Sequence, residues 1–282
     1  SRFAQQGLSS RNLKRALEQV DDNTLTLDNL SSLEKLLPTP SELEMIQGFD
    51  GDKNRLATVE KFFVELMEVK NLVNRVKAMK AKASFDDALK EVKFATKALY
   101  KASLEIQNSK SLKDFFTCTL AIGNYLNGST SRGQAYGFNL DTLSKLSALK
   151  TKDNKSNLLR YIIHFMAKEP DVFTDPKQLH VELKSLEAAT KASISEVKAG
   201  LNKLKASTRL MKGCADLADP SDAIRDVMGQ FLDSYADDEV RRLSEQIQEM
   251  ENETKSVITF LGEDASKAKF EEVCNKIFGF LN

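Results

Sequence analysis

Apolar positions recur along this chain at steps of three and four, the spacing that lines one face of an α-helix. Leu8, Leu13, Leu17 and Val20 predict a short first helix; Leu30, Leu33, Leu36 and Leu37 predict a second, stopped by Pro38. Thr39-Pro40-Ser41-Glu42 reads as another helix start, and Gly48 to Asn54 as a polar loop. Periodicity resumes at Phe62, Phe63, Leu66 and Met67 and continues through Leu72, Val73, Val76 and Met79. Ser84-Phe85-Asp86-Asp87 then opens a long helix with Phe85, Leu89, Val92, Thr96, Leu99, Ser103 and Ile106 on one stripe.

In the second half, a capping pair from Ser111 to Asp114 precedes Phe115, Phe116, Leu120 and Tyr125, a helix expected to be buried on a broad face. Asn127 to Gly137 is the most loop-like stretch, and short helical patterns follow at Leu140–Leu149 and Leu158–Met166. Asp175-Pro176 is expected to start a second long helix carrying Leu179, Leu183, Leu186, Ile194, Val197, Leu201 and Leu204. After Pro220 comes a third, through Ile224, Met228, Phe231 and Tyr235 and then the heptad run Val240, Leu243, Ile247, Met250, Thr254, Val257 and Leu261. A last helix offers Phe270, Val273, Cys274, Ile277, Phe278 and Leu281. With no strand alternation of useful length and no fixed repeat, the expected fold is all-α and rod-like. Long paired helices would form a stalk and shorter ones compact ends.

Composition narrows the function classes. The 282 residues are 41% hydrophobic and 29% charged, enough to bury a core and unlike a disordered tail. Forty-one basic residues balance 41 acidic ones, which argues against bulk attraction to nucleic acid or to a membrane. No apolar run approaches the roughly 18 residues that span a bilayer, so no membrane insertion is expected. The start carries no signal-peptide pattern, and three widely spaced cysteines are no disulfide framework. These features point to the cytoplasm.

Reactive groups are sparse. Of two histidines, His164 lies in an apolar run and is expected at the core or its boundary, and His180 in solvent. No pair of histidines has helical zinc spacing, and no Cys-x-x-Cys or phosphate-cradling glycine loop occurs. Cys118 falls in Phe115-Phe116-Thr117-Cys118 and reads as an inert buried thiol. Asp86-Asp87 and Asp237-Asp238 sit near helix starts, where they complement the helix dipole. The expectation is a protein without catalytic residues, metal or cofactor.

The unusual stretch is Leu120-Ala121-Ile122-Gly123-Asn124-Tyr125-Leu126-Asn127-Gly128, followed by Ser131-Arg132-Gly133-Gln134-Ala135-Tyr136-Gly137-Phe138. Gly123 would let another backbone or bulky side chain approach closely, Asn124 and Asn127 offer hydrogen-bonding groups, and Gly128 is a candidate left-handed cap. The loop returns through Phe138 into a helix expected to end in Lys145, Lys150, Lys152 and Lys155. A plainer reading of the residues is a helix terminus with an ordered loop and a solvated lysine face.

The run Gly-Asn-Tyr-Leu-Asn-Gly, then Arg-Gly-x-Ala-x-Gly-Phe, then Leu-x-x-Leu-x-Lys-Leu ending at Leu146, resembles the signature of the formin homology-2 domain. Lys150, Asp153-Asn154-Lys155 and Leu158-Leu159-x-Tyr161 extend the likeness, as do Leu36-Leu37-Pro38-Thr39-x-x-Glu42-Leu43 and Phe270-Glu271-x-Val273. The resemblance implies a helical rod with a knob (about residues 1–60), coiled-coil helices (61–110 and 176–262) and a post (111–175 and 263–282). It implies actin as partner, filament nucleation and processive elongation at the barbed end, and a closed homodimer in which a lasso from each subunit encircles the other's post. Gly123, Asn124, Tyr125, Leu126, Asn127, Arg132, Gly133, Gly137 and Phe138 would belong to the lasso-receiving post, and Lys150, with Lys145 and Lys152, would touch actin. The lasso and the knob isoleucine would lie before Ser1, so the chain is expected to be a truncated core that associates weakly. The rival reading is a helical adaptor that binds partner helices through its heptad faces.

Overall fold

The structure, a computed structural model, describes residues 9–37, 39, 58–131, 133–152 and 154–281. The Thr39–Glu42 helix start, the Gly48–Asn54 loop and Arg132 lie outside the described residues or depend on neighbours that do. Among the described residues there are fourteen α-helices and no strand, which makes the fold all-α. They are α1 (Ser10–Gln19), α2 (Leu27–Leu36), α3 (Thr58–Leu66), α4 (Leu72–Ala83), α5 (Phe85–Asn108), α6 (Lys110–Leu126) and α7 (Asp141–Leu146). There follow α8 (Leu158–Lys168), α9 (Gln178–Glu182), α10 (Leu186–Thr190), α11 (Ile194–Leu217), α12 (Ala223–Phe231), α13 (Asp237–Phe260) and α14 (Phe270–Leu281).

The chain divides into two compact units, one of Ser1–Glu91 with Gly200–Leu243, the other of Val92–Ala199 with Ser244–Asn282. In the first, α1 packs against α3 and α12, and α2 against α4. Ser9 caps α1 by accepting from the Asn12 N–H, and the helix ends on Val20 in the left-handed region at φ 53°. Leu13 and Leu17 are fully buried, each worth about 1.5–3 kcal/mol in apolar transfer. Arg75 of α4 is buried among them. It donates to the Leu17 C=O at 3.1 Å and pairs with Asp222, whose carboxylate also caps α12 through the Ile224 N–H.

The sequence pattern placed Phe231 and Tyr235 on the apolar seam, but the fully buried residues there are Leu232 and Ala236. Buried positions step by four from Ile224 through Met228, Leu232 and Ala236 to Val240, and only then alternate three and four. Each step of four advances about 40° around an α-helix, so an unbroken helix would carry this stripe off its partners. A π-helical turn at Leu232–Ala236 takes up that excess. It also sets Phe231 and Tyr235 edge-on to the buried ring of Phe85, with centroids 5.5 and 6.1 Å away.

In the second unit, α6 contacts α8 and α9, while α14 contacts α7 and α10. Phe115 is fully buried, 4.6 Å from Phe280 between ring centroids. The expected helix from Pro176 is instead three pieces, α9, α10 and α11, because distant carboxylates seize its backbone. Glu105 of α5 accepts from the N–H of Ser185 at 2.8 Å and from its hydroxyl at 2.7 Å. Glu271 of α14 accepts from the Ile194 N–H at 2.8 Å, so α11 begins there. The cap of α6 is Ser109, not the Ser111–Asp114 pair; Ser111 binds Glu182 and Asp114 binds Thr174.

Other expectations shift locally. The single helix read through Phe62–Met79 breaks at 67–71, where Asn71 turns at φ 54° before α4 begins. His164 is exposed, because α8 buries Ile162 and Met166 and turns its remaining faces outward.

Candidate functional site

The second half of α6 leaves the core. Cys118 and Thr119 are buried, but Tyr125 is 87% exposed and Leu126 60%, so the broad buried face expected of this helix stops short of its end. An ideal Cβ on Gly123 would meet nothing within 4 Å, leaving that side of the helix open. The helix closes on Asn127 at φ −97°, and Gly128 is not left-handed. The Gly123 C=O accepts both the Asn127 N–H at 3.0 Å and the Asn127 side-chain amide at 2.8 Å, and that arrangement replaces a glycine cap.

The following loop is held by a side chain. Asn124 Oδ1 accepts from the Ala135 N–H at 2.8 Å, and Asn124 Nδ2 donates to the Ala135 C=O at 2.9 Å. Gly133 passes so close to the helix end that a Cβ would lie 2.7 Å from the Asn127 oxygen and 3.0 Å from the Gly128 Cα. Glycine is therefore a steric requirement at this position. Gln134 turns the loop at φ 60°, Tyr136 stands fully exposed, and Phe138 folds back edge-on to Phe116 at 5.7 Å. Gly137 has open space around it.

Lys145 is exposed in the last turn of α7, but the expected continuation of that helix to the other lysines is absent. The helix ends at Leu146, and Lys150 and Lys152 sit on a hairpin between Leu149 and Leu158, where Lys150 and Asn157 form an isolated antiparallel bridge. Leu158 N–H donates to Leu149 C=O at 2.8 Å to close it. Asn157 then caps α8 by accepting from the Arg160 N–H.

The second half of α6, the hairpin and α8 share one groove of about 680 Å³, which Gly123, Asn124, Asn127, Gly133, Gly137, Phe138 and Lys145 do not line. Its floor and walls are Cys118, Ala121, Ile122, Tyr125 and Leu126 from α6 and Leu158, Tyr161 and Phe165 from α8, with Leu149 and Phe173 beside them. Lys150, Thr151 and Lys152 complete the lining. Tyr161 stacks on Phe165 at 6.5 Å, and Phe165 lies 6.1 Å from Phe173. Burial pushes the Cys118 thiol above its ordinary range, which keeps it a poor nucleophile. Sequence reasoning missed the α8 wall. The available signal was a surplus, since Leu158, Leu159, Tyr161, Ile162, Ile163, Phe165 and Met166 are more apolar positions than one buried stripe uses.

The start of α6 is tied by Glu182, which accepts from the hydroxyls of Ser109 at 2.6 Å and Ser111 at 2.9 Å and from the Ser111 N–H. Burial raises its pKa, but these hydrogen bonds outweigh burial and hold the carboxyl below its ordinary range. Among the described residues no cluster of His, Cys, Asp and Glu could hold a metal ion, and no helix is long and apolar enough to cross a membrane.

Comparison with known proteins gives a consistent answer. The Formin Homology 2 Domain family matches residues 3–282. Formin-like protein 14 of Arabidopsis thaliana is 31% identical over 270 residues, covering 94% of this chain and 22% of that protein. Formin-like protein 20 of the same plant is 30% identical over 277 residues (94% and 16%), and Formin-like protein 6 of Oryza sativa subsp. japonica 30% over 273 residues (95% and 20%). The chain thus spans between 16% and 22% of the length of these curated relatives. With the family matched from residue 3 to the last residue, this chain belongs to the formin homology 2 domain family.

Proposed function

We propose that this chain binds actin and takes part in filament nucleation and barbed-end elongation as one half of a homodimer, making and breaking no covalent bond. The observation that carries this reading is the open apolar groove with lysines on its lining, built from the same stretch that carries the family signature. Tyr125, Leu126, Leu149 and Tyr161 are each more than half exposed, an apolar surface that a soluble chain covers with another polypeptide. In this reading the groove and the Gly123–Phe138 corner seat a segment of the second copy. The open side of Gly123 supports close backbone approach there. Lys150 and Lys152, with Lys145, supply charge toward the acidic surface of actin, and such contacts govern encounter rate and specificity more than affinity. A cytoplasmic location on the actin cytoskeleton follows from the same reading.

The adaptor alternative loses its main support. Val240, Leu243, Ile247, Met250, Thr254 and Val257 are already buried within this chain, so that heptad seam is not available to an outside helix. Fluorescent actin assembly and sedimentation mass test the proposal together. Lys150→Asp should weaken the effect on actin with helix content unchanged. A chain that neither binds actin nor alters its assembly at micromolar concentration would overturn the reading.

A further inference from the structure

Lys150, Lys152 and Lys155 fall within six positions, and on a free loop their charges would repel and spread the chain. Here the loop is tied. Thr151 N–H donates to Ser156 C=O at 2.9 Å, Leu158 N–H donates to Leu149 C=O at 2.8 Å, and Asn154 turns the chain at φ 58°. One side chain braces the two arms of the hairpin: the Thr151 hydroxyl accepts from the Ser156 N–H at 3.1 Å and donates to the Ser156 C=O at 3.2 Å. Thr151 is half-buried, and the lysines on either side of it are exposed. Among the described residues neither Lys150 nor Lys152 forms an ion pair, and the brace orders the backbone that carries both.

We propose that Thr151 is a positioning residue whose hydroxyl fixes the register in which Lys150 and Lys152 meet an acidic protein surface. This rests on the actin reading of the hairpin and deepens it. A lysine is a flexible point charge, so ordering its backbone beforehand removes part of the entropy lost on docking. Valine matches the shape of threonine but cannot brace the two arms; serine keeps the hydroxyl.

The test compares the chain carrying Thr151→Val, Thr151→Ser or Lys150→Glu with the unaltered chain. Actin binding is measured over a series of salt concentrations, and amide exchange is followed at Thr151 and Leu158. Thr151→Val, which removes both hydroxyl bonds, should bind about fivefold more weakly, with a shallower salt dependence and an unchanged melting temperature. Thr151→Ser should bind within about twofold of the unaltered chain. Exchange at Leu158 should quicken in the valine variant and not in Lys150→Glu. Unchanged exchange in Thr151→Val would overturn the brace whatever happens with actin. Normal binding by Thr151→Val beside weakened binding by Lys150→Glu would overturn the positioning role alone. Normal binding by Lys150→Glu would overturn the hairpin's part in actin contact, and the positioning role with it.

Discussion

Asn124 engages both backbone groups of Ala135, accepting from its N–H at 2.8 Å and donating to its C=O at 2.9 Å. A single amide thus does the work of a strand partner for a loop that has none. Asn124→Ala should cost about 1 kcal/mol, since water can replace bonds at an exposed site. The sharper signature is local: in Asn124→Ala, amide exchange at Ala135 should rise well above that of the helices, and Asn124→Asp, which keeps the acceptor for the Ala135 N–H but loses the donor to its C=O, should restore protection only in part.

Two glycines ten residues apart should respond oppositely to the same change. Gly133→Ala forces a Cβ into the Asn127 carbonyl and should destabilise the corner by about 1–3 kcal/mol. Gly123→Ala meets open space inside a helix and should stabilise the fold by about 0.5–1 kcal/mol. If the open side of Gly123 receives a second copy, the same alanine should lower the mass seen by sedimentation. Urea titration separates the stability effects, and ultracentrifugation the association effect.

Glu182 makes acid sensitivity local. Its carboxyl has a folded-state pKa below the ordinary value of 4.5, so it stabilises the fold above that value and the contribution is lost as pH falls through the folded value. Glu182→Gln should therefore lower the melting temperature at neutral pH, and the gap to the unaltered chain should narrow as the pH falls below 4.5. A gap that stays constant down to pH 3 would remove Glu182 from the acid response.

Phe85 anchors the π-helical turn, being 1% exposed with Phe231 and Tyr235 edge-on to it. Phe85→Ala should cost about 3–5 kcal/mol. Tyr235→Phe, which keeps the ring contact, should cost far less, as chemical denaturation can show.

The all-α class and most helix starts were legible because burial follows helical periodicity: Leu13, Leu17, Leu30 and Leu33 all face inward as their spacing says. Some failures come from contacts made across long stretches of chain, others from local pairings that periodicity does not encode. Nothing near Leu183 announces that Glu105 will take the Ser185 backbone, and nothing near Lys150 shows that Asn157 will pair with it. The π-helical turn was visible in principle as four successive steps of four, a pattern hidden by the larger side chains of Phe231 and Tyr235. At the site, the glycine–asparagine corner was legible as special chemistry, but the groove was not, since α8 supplies its far wall from 30 or more positions away.

The Ile194 N–H that opens α11 is held by Glu271, a residue 77 positions later in the chain. During synthesis this helix, 24 residues long, has only water as partner for that N–H until Glu271 has emerged. A nascent chain halted before residue 271 would hold the α11 stripe while its leading turn frays. Arrival of Glu271 should therefore settle the first turn of α11, and a ribosome-bound series of lengths should gain amide protection at Ile194 only once residue 271 has emerged.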